Sequence, residues 1–101
     1  MTTDDCSDVL KALADRTRQR IVKALLARDL SVNELTDELE IPQYNTSKHL
    51  GVLKNAGIVD VRAAGARREY FISRALRRRI QRAGPTLDFG CCTFRMDQLP
   101  D

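Results

Sequence analysis

The sequence predicts a mostly α-helical domain carrying one small β-hairpin, and three observations support that reading. Apolar residues recur at intervals of three and four through successive stretches, the period of a helix with one buried face. Two β-favouring runs, Ile58, Val59 and Val61 and then Tyr70 and Ile72, flank a glycine-containing loop. Ile41-Pro42, Ala56-Gly57 and Gly84-Pro85 punctuate the helical stretches. At 101 residues the chain suits one domain near the lower limit for burying its own core, so dimerisation would add useful buried surface. With 43% hydrophobic and 31% charged residues, disordered and fibrous classes are excluded.

Each element has its own signal. Val9, Leu10 and Leu13 predict a short first helix from about Ser7 to Ala14, with Cys6 just before it. Asp15 is placed to cap a second helix, whose Ile21, Val22, Leu25 and Leu26 form a stripe up to about Ala27. Ser31 with Glu34 three residues on has capping-box spacing, and the helix it starts buries Val32, Leu35 and Leu39 before Pro42 stops it. From Gln43 to Asn55, Thr46, Leu50 and Leu53 stand at i, i+4 and i+7 and define an inward face. A hairpin follows, with its loop over residues 63–67, and a last helix from about Ser73 to Ala83 carries Leu76, Ile80 and Ala83 on one stripe. Residues 1–84 thus form the domain, and 85–101 a cysteine-bearing C-terminal tail.

Two short helices joined by a tight turn and followed by a basic-tipped hairpin make a winged helix-turn-helix. With Thr46, Leu50 and Leu53 turned inward, the opposite face of the second helix presents Gln43, Tyr44, Asn45, Ser47 and Lys48. An amide suits adenine, hydroxyls suit either groove edge, and an ammonium suits phosphate. Gly51 on the same side removes bulk that would hold the helix off a groove. Arg62, Arg67 and Arg68, on and beside the hairpin, are placed for flanking phosphates or a minor groove. A polar helix face alone is commonly only a solvated face; the full order of elements favours double-stranded DNA as partner.

A net charge of +3 is compatible with nucleic acid without deciding for it. The acidic start, Met1 to Asp5, leads into no apolar signal segment, and no apolar run approaches the roughly 18 residues of a membrane span. The expectation is a cytoplasmic protein without a membrane partner, whose thiols stay reduced. Three cysteines, an odd number, argue against a disulfide framework.

Cys91 and Cys92 are adjacent. A disulfide between them would be strained, since relaxed bridges want Cα atoms about 4.4–6.8 Å apart and neighbours sit about 3.8 Å apart. Two neighbouring thiolates instead chelate one soft ion. In an uninterrupted strand they would face opposite ways, so a bulge or turn at Gly90-Cys91 is expected. Cys6, of the same chain or of a partner copy, is the candidate third ligand, and zinc generally asks for four. No general base adjoins the pair, and the sole histidine, His49, lies in the DNA-reading helix, so an enzyme is not expected. A structural metal would make serine replacement of the pair unfold the chain, whereas sensing would leave it folded.

The stretches LKALADRTRQRIVKALL, SVNELTDEL and SKHLGVLKNAGIVDVRAAGARREYFIS resemble the arsenical-resistance repressor (ArsR/SmtB) family from about Leu10 to Ser73. The most specific part is the Ser-x-His-Leu-x-x-Leu-x-x-Ala-Gly run from Ser47 to Gly57. The resemblance implies a homodimeric repressor, joined through its first and last helices, that leaves operator DNA when a metal or metalloid binds. It assigns the Leu10/Leu13 and Leu76/Ile80 stripes to the dimer interface and gives His49 a packing or phosphate-contact role. The family's Cys-x-Cys arsenic site is absent, because Ser31 and Asn33 stand at those positions. Its Asp/His zinc site is absent too, since the last helix offers arginines and no histidine. The resemblance then implies As(III) or Sb(III) as inducer at Cys91 and Cys92, with Cys6, and no organic cofactor. Redox or persulfide sensing by the same thiols stays open. The five arginines from Arg74 to Arg82 either favour thiolate by their field or form a solvated face.

Overall fold

Capping sets where two of the helices begin. The computed structural model describes residues 6–83, 86–89 and 92–95, and of residues 80–83, 87 and 88 the backbone alone. Helix α1 spans Cys6–Leu13 and α2 Arg16–Ala27, so Cys6 is the first residue of α1 rather than its predecessor. Asp15 is the N-cap of α2, its Oδ1 accepting from the Arg18 backbone N–H at 3.0 Å. That bond, opposed by burial and aided by the Arg18 guanidinium, holds the Asp15 carboxyl below its ordinary value. Helix α3 spans Val32–Leu39 behind a full capping box, Ser31 Oγ accepting from the Glu34 N–H and the Glu34 carboxylate from the Ser31 N–H. Glu40 ends it in the left-handed region at φ 55°, and Pro42 then leads into α4, Gln43–Asn55.

Thr46, Leu50 and Leu53 are buried, as their spacing requires, together with Leu35, Ile21 and Leu25 of the neighbouring helices. The Thr46 hydroxyl is satisfied rather than stranded: it lies 3.0 Å from Thr36 Oγ1 and donates to the Pro42 carbonyl at 3.2 Å. This bridge ties α3 to α4 and fixes the face α4 presents outward.

Strands β1 (Val59–Ala64) and β2 (Arg67–Ile72) pair antiparallel, with Val59 opposite Ile72 and Val61 opposite Tyr70. The turn is tighter than the sequence suggests. Ala64 already pairs with Arg67, leaving Gly65 and Ala66 as the loop, and Gly65 takes φ 66°, which suits a two-residue hairpin. Leu30 adds a bridge to Tyr70 through two backbone bonds of 3.1 and 2.8 Å, fastening the hairpin to the α2–α3 connection.

Helix α5 spans Arg74–Ala83. Its Leu76 and the Leu13 of α1 are both 2% exposed, so these two members of the expected dimer stripes belong to the monomer's own core. The reason is local: α1 packs on α2 and α4, and Leu13 lies on that inward side. Leu10, by contrast, is 48% exposed, and the side chain of Ile80 lies outside the described residues, as do Gly84 and Pro85.

The segment read as a tail contains a second antiparallel hairpin, β3 (Thr86–Asp88) and β4 (Thr93–Arg95), lying against α5. Phe89 is fully inside, packed in the same core, with its ring edge-on to Phe94 at 6.0 Å between centroids. Alternating apolar residues let a short strand bury one side, and the core accepts Phe89. Among the described residues no helix is long and apolar enough to cross a membrane.

Replacing Phe89 by alanine is expected to cost about 3–5 kcal/mol of unfolding free energy, a large share of a small domain's total. Urea unfolding checks this; an appended tail would leave the midpoint unmoved.

Candidate DNA-reading face and thiol pair

Gln43, Tyr44, Asn45, Ser47 and Lys48 of α4 are all exposed, Tyr44 at 77%. An exposed tyrosine in the first turn of a helix otherwise anchored by buried leucines contributes nothing to this chain's core. Gly51 shares their side, and a Cβ built there meets nothing within 4 Å among the described residues beyond its own helix. Glycine inside a helix costs about 0.5–1 kcal/mol relative to alanine, and no contact among the described residues requires it.

His49 is half-buried, and its Nδ1 lies 3.2 Å from Nη1 of Arg18. The hairpin arginines are engaged in unequal ways. Arg62 reaches Asp29 at 2.8 Å and Glu69 at 3.1 Å, with its guanidinium over the Phe71 ring. Arg67 pairs with Glu34 and, at 3.7 Å, with Glu69. Glu34 is held below the usual carboxylate range, first by the Ser31 N–H and then by Arg67. These pairs are exposed, so each is worth little and can be exchanged for other anions. Arg68 is exposed beside them. Of the carboxylates that pair with these arginines, Asp29 and Glu69 were not singled out from sequence and Glu34 was read only as a capping-box residue; the direct cross-strand pairing of Arg62 with Glu69 was the available signal.

Cys6 Sγ and Cys92 Sγ stand 2.8 Å apart in a partly buried position, and Cys6 is itself disulfide-bonded, contrary to the expectation that the thiols stay reduced. The approach is made within one chain. Helix α1 supplies Cys6 as its first residue, and the β3–β4 hairpin supplies Cys92, whose carbonyl accepts from the Phe89 N–H at 2.9 Å. Because β3 and β4 run antiparallel, the chain reverses between Asp88 and Thr93; Gly90 and Cys91, where a bulge or turn was expected, lie outside the described residues. Cys91 lies outside the described residues, and among the described ones no three His, Cys, Asp or Glu side chains converge as a metal cluster.

The comparisons agree with this geometry. Residues 15–61 match the family model described as "Bacterial regulatory protein, arsR family", a span running from the cap of α2 through α4 into β1. An HTH-type transcriptional regulator of Methanocaldococcus jannaschii is 39% identical over 70 residues, 68% of this chain and 79% of that protein. The chain belongs to the ArsR family. Like the other transcriptional regulators of the ArsR family, it is a winged helix-turn-helix and not an enzyme. HlyU from Vibrio cholerae, a transcriptional activator, matches at 43% over 54 residues, 54% of this chain and 50% of HlyU. Its solved structure superposes with a TM-score of 0.66 at 34% identity, covering 75% of this chain and 84% of that one. A homodimeric winged helix-turn-helix domain from Mycobacterium bovis superposes with a TM-score of 0.67 at 30% identity, over 69% of this chain and 65% of that one.

Against the ArsR pattern, the Cys-x-Cys position is filled by residues with other work: Ser31 caps α3, and Asn33 is exposed on it. Of the last helix's arginines, Arg77 donates to the Leu25 and Leu26 carbonyls at 3.1 and 3.0 Å, so it is neither a solvated residue nor a simple field source.

Gly51→Ala is expected to raise unfolding free energy by about 0.5–1 kcal/mol while weakening DNA binding, measured by denaturant melts and anisotropy on one preparation. A variant that gains stability and keeps its DNA affinity would remove the close-approach role of Gly51.

Proposed function

We propose that the chain is a cytoplasmic homodimeric repressor that holds double-stranded operator DNA with α4 and the β1–β2 wing. It releases the DNA when As(III) or Sb(III) is captured by Cys6, Cys92 and Cys91. The observation that carries this reading is the 2.8 Å approach of Cys6 Sγ to Cys92 Sγ. Two residues 86 apart in sequence meet there, and Cys91 adjoins the second by covalent sequence. With the Cys6 disulfide first reduced by a cellular dithiol, three thiols suit a trivalent metalloid, which exchanges its hydroxides for thiolates and releases water; zinc generally asks for a fourth ligand.

Dimerisation is supported by the homodimeric relative and by the exposed Leu10 on α1. Two α4 helices related by a twofold axis would meet successive major grooves about 34 Å apart. Capture that favours a dimer of different spacing weakens DNA binding through a coupling of order 1–3 kcal/mol.

A second reading uses the same pair for redox sensing. From the reduced chain, with the Cys6 disulfide opened by a dithiol, Cys6 and Cys92 would each give up a proton and an electron to peroxide, forming one S–S bond and two waters. It is favoured by the same short approach, and by HlyU having been solved in a form described as reduced.

Anisotropy on DNA upstream of the chain's own gene, titrated with arsenite and with peroxide, separates the two. The metalloid reading expects arsenite to weaken binding at least about ten-fold, equivalent to about 1.4 kcal/mol. It also expects the Cys91→Ser/Cys92→Ser chain to stay folded and bound. Release by peroxide with indifference to arsenite transfers the function to the redox reading.

A further inference from the structure

We propose that Arg18 is a positioning residue that ties the thiol-bearing helix α1 to the reading helix α4, setting His49 for contact with the DNA backbone. The proposal rests on α4 being the reading helix and does not depend on which species the thiols capture.

The Arg18 side chain is 18% exposed and touches three elements at once. Its Nε donates to the Ala12 carbonyl at 2.5 Å and its Nη2 to the Lys11 carbonyl at 3.2 Å, both in the last turn of α1. Its Nη1 lies 3.2 Å from His49 Nδ1 and 3.9 Å from Asp15 Oδ2. Gln19 completes the grip by donating to the Leu13 carbonyl at 2.7 Å. A guanidinium has donors only, so His49 Nδ1 must accept, and Nε2 carries the N–H. The imidazole is thereby left with a donor, the polarity a phosphate oxygen requires. His49 directly follows Ser47 and Lys48 of the exposed face.

The guanidinium is a rigid planar fork, so the carbonyls of α1 cannot move without moving the nitrogen that faces His49. Helix α1 is eight residues long, about 12 Å at 1.5 Å per residue, and Cys6 is at its far end. A displacement at Cys6 is delivered to Lys11 and Ala12, and from there through Arg18 to α4. A mere helix cap would need the carbonyls and not the histidine.

The experiment uses the full chain with Cys91→Ser and Cys92→Ser, leaving Cys6 as sole thiol, and with labelled histidine nitrogens. His49 is the only histidine, so one pair of ring signals reports on it. Alkylating Cys6 with iodoacetamide is expected to shift both ring nitrogens and to weaken DNA binding about five-fold or more, the lower end of typical couplings. With Arg18→Lys added, the same alkylation should leave the ring signals in place and alter affinity by less than about two-fold. Equal responses with and without Arg18→Lys, or no ring shift when Arg18 is present, would overturn the proposal. Should Arg18→Lys fail to fold, His49→Asn serves instead: the affinity loss on alkylation should vanish, and its persistence overturns the link. Arsenite is absent throughout, so failure of metalloid capture shows only in the anisotropy titration.

Discussion

Helices α1, α2 and α3 each end on carbonyls that lack an intrahelical partner, and in each case an arginine from another element supplies the missing donor. Arg18 bonds the Lys11 and Ala12 carbonyls, Arg77 those of Leu25 and Leu26, and Arg20 that of Leu39. A cation at the negative end of a helix is favourable in itself. Here it also locks neighbouring elements in place, α5 against α2 and the first turns of α2 against α1 and α3. The basic character that first suggests nucleic acid is therefore partly structural. What remains for DNA is the outward face of α4 and the wing arginines, lightly held by Asp29, Glu34 and Glu69.

The placement of the thiols follows from the same framework. Phe89 seats the second hairpin in the core next to α5, and its backbone N–H is bonded to the carbonyl of Cys92. Cys6 is brought opposite because α1 is pinned at its far end by Arg18 and Gln19 and along its length by Val9, Ala12 and Leu13. Helix α1 thus carries Cys6 at its start and meets Arg18, which also faces His49 of α4, at its end.

Much of this was legible in the residues because it depends on near neighbours. Asp15 and Ser31 cap as their spacing requires, α4 runs from Gln43 to Asn55 as its apolar rhythm demands, and Val59 and Val61 face Ile72 and Tyr70. Features set by distant contacts were not legible. Nothing near Leu13 or Leu76 in sequence says whether an apolar stripe meets its own core or a second copy, and the burial of both decides for the core. Arg77 reaches carbonyls some fifty positions away, and a long flexible side chain carries no periodic mark of its target. The alternation of apolar residues in the tail pointed to extended chain, but not to strands of three residues pairing with each other and packing on α5.

The central claim is that thiols from both ends of the chain jointly capture a trivalent metalloid. X-ray absorption at the arsenic edge, on the full chain loaded with arsenite, addresses it directly. The account predicts a first shell of three sulfurs, falling to two with one oxygen in Cys6→Ser. A shell made of oxygen, or a three-sulfur shell untouched by Cys6→Ser, would contradict it.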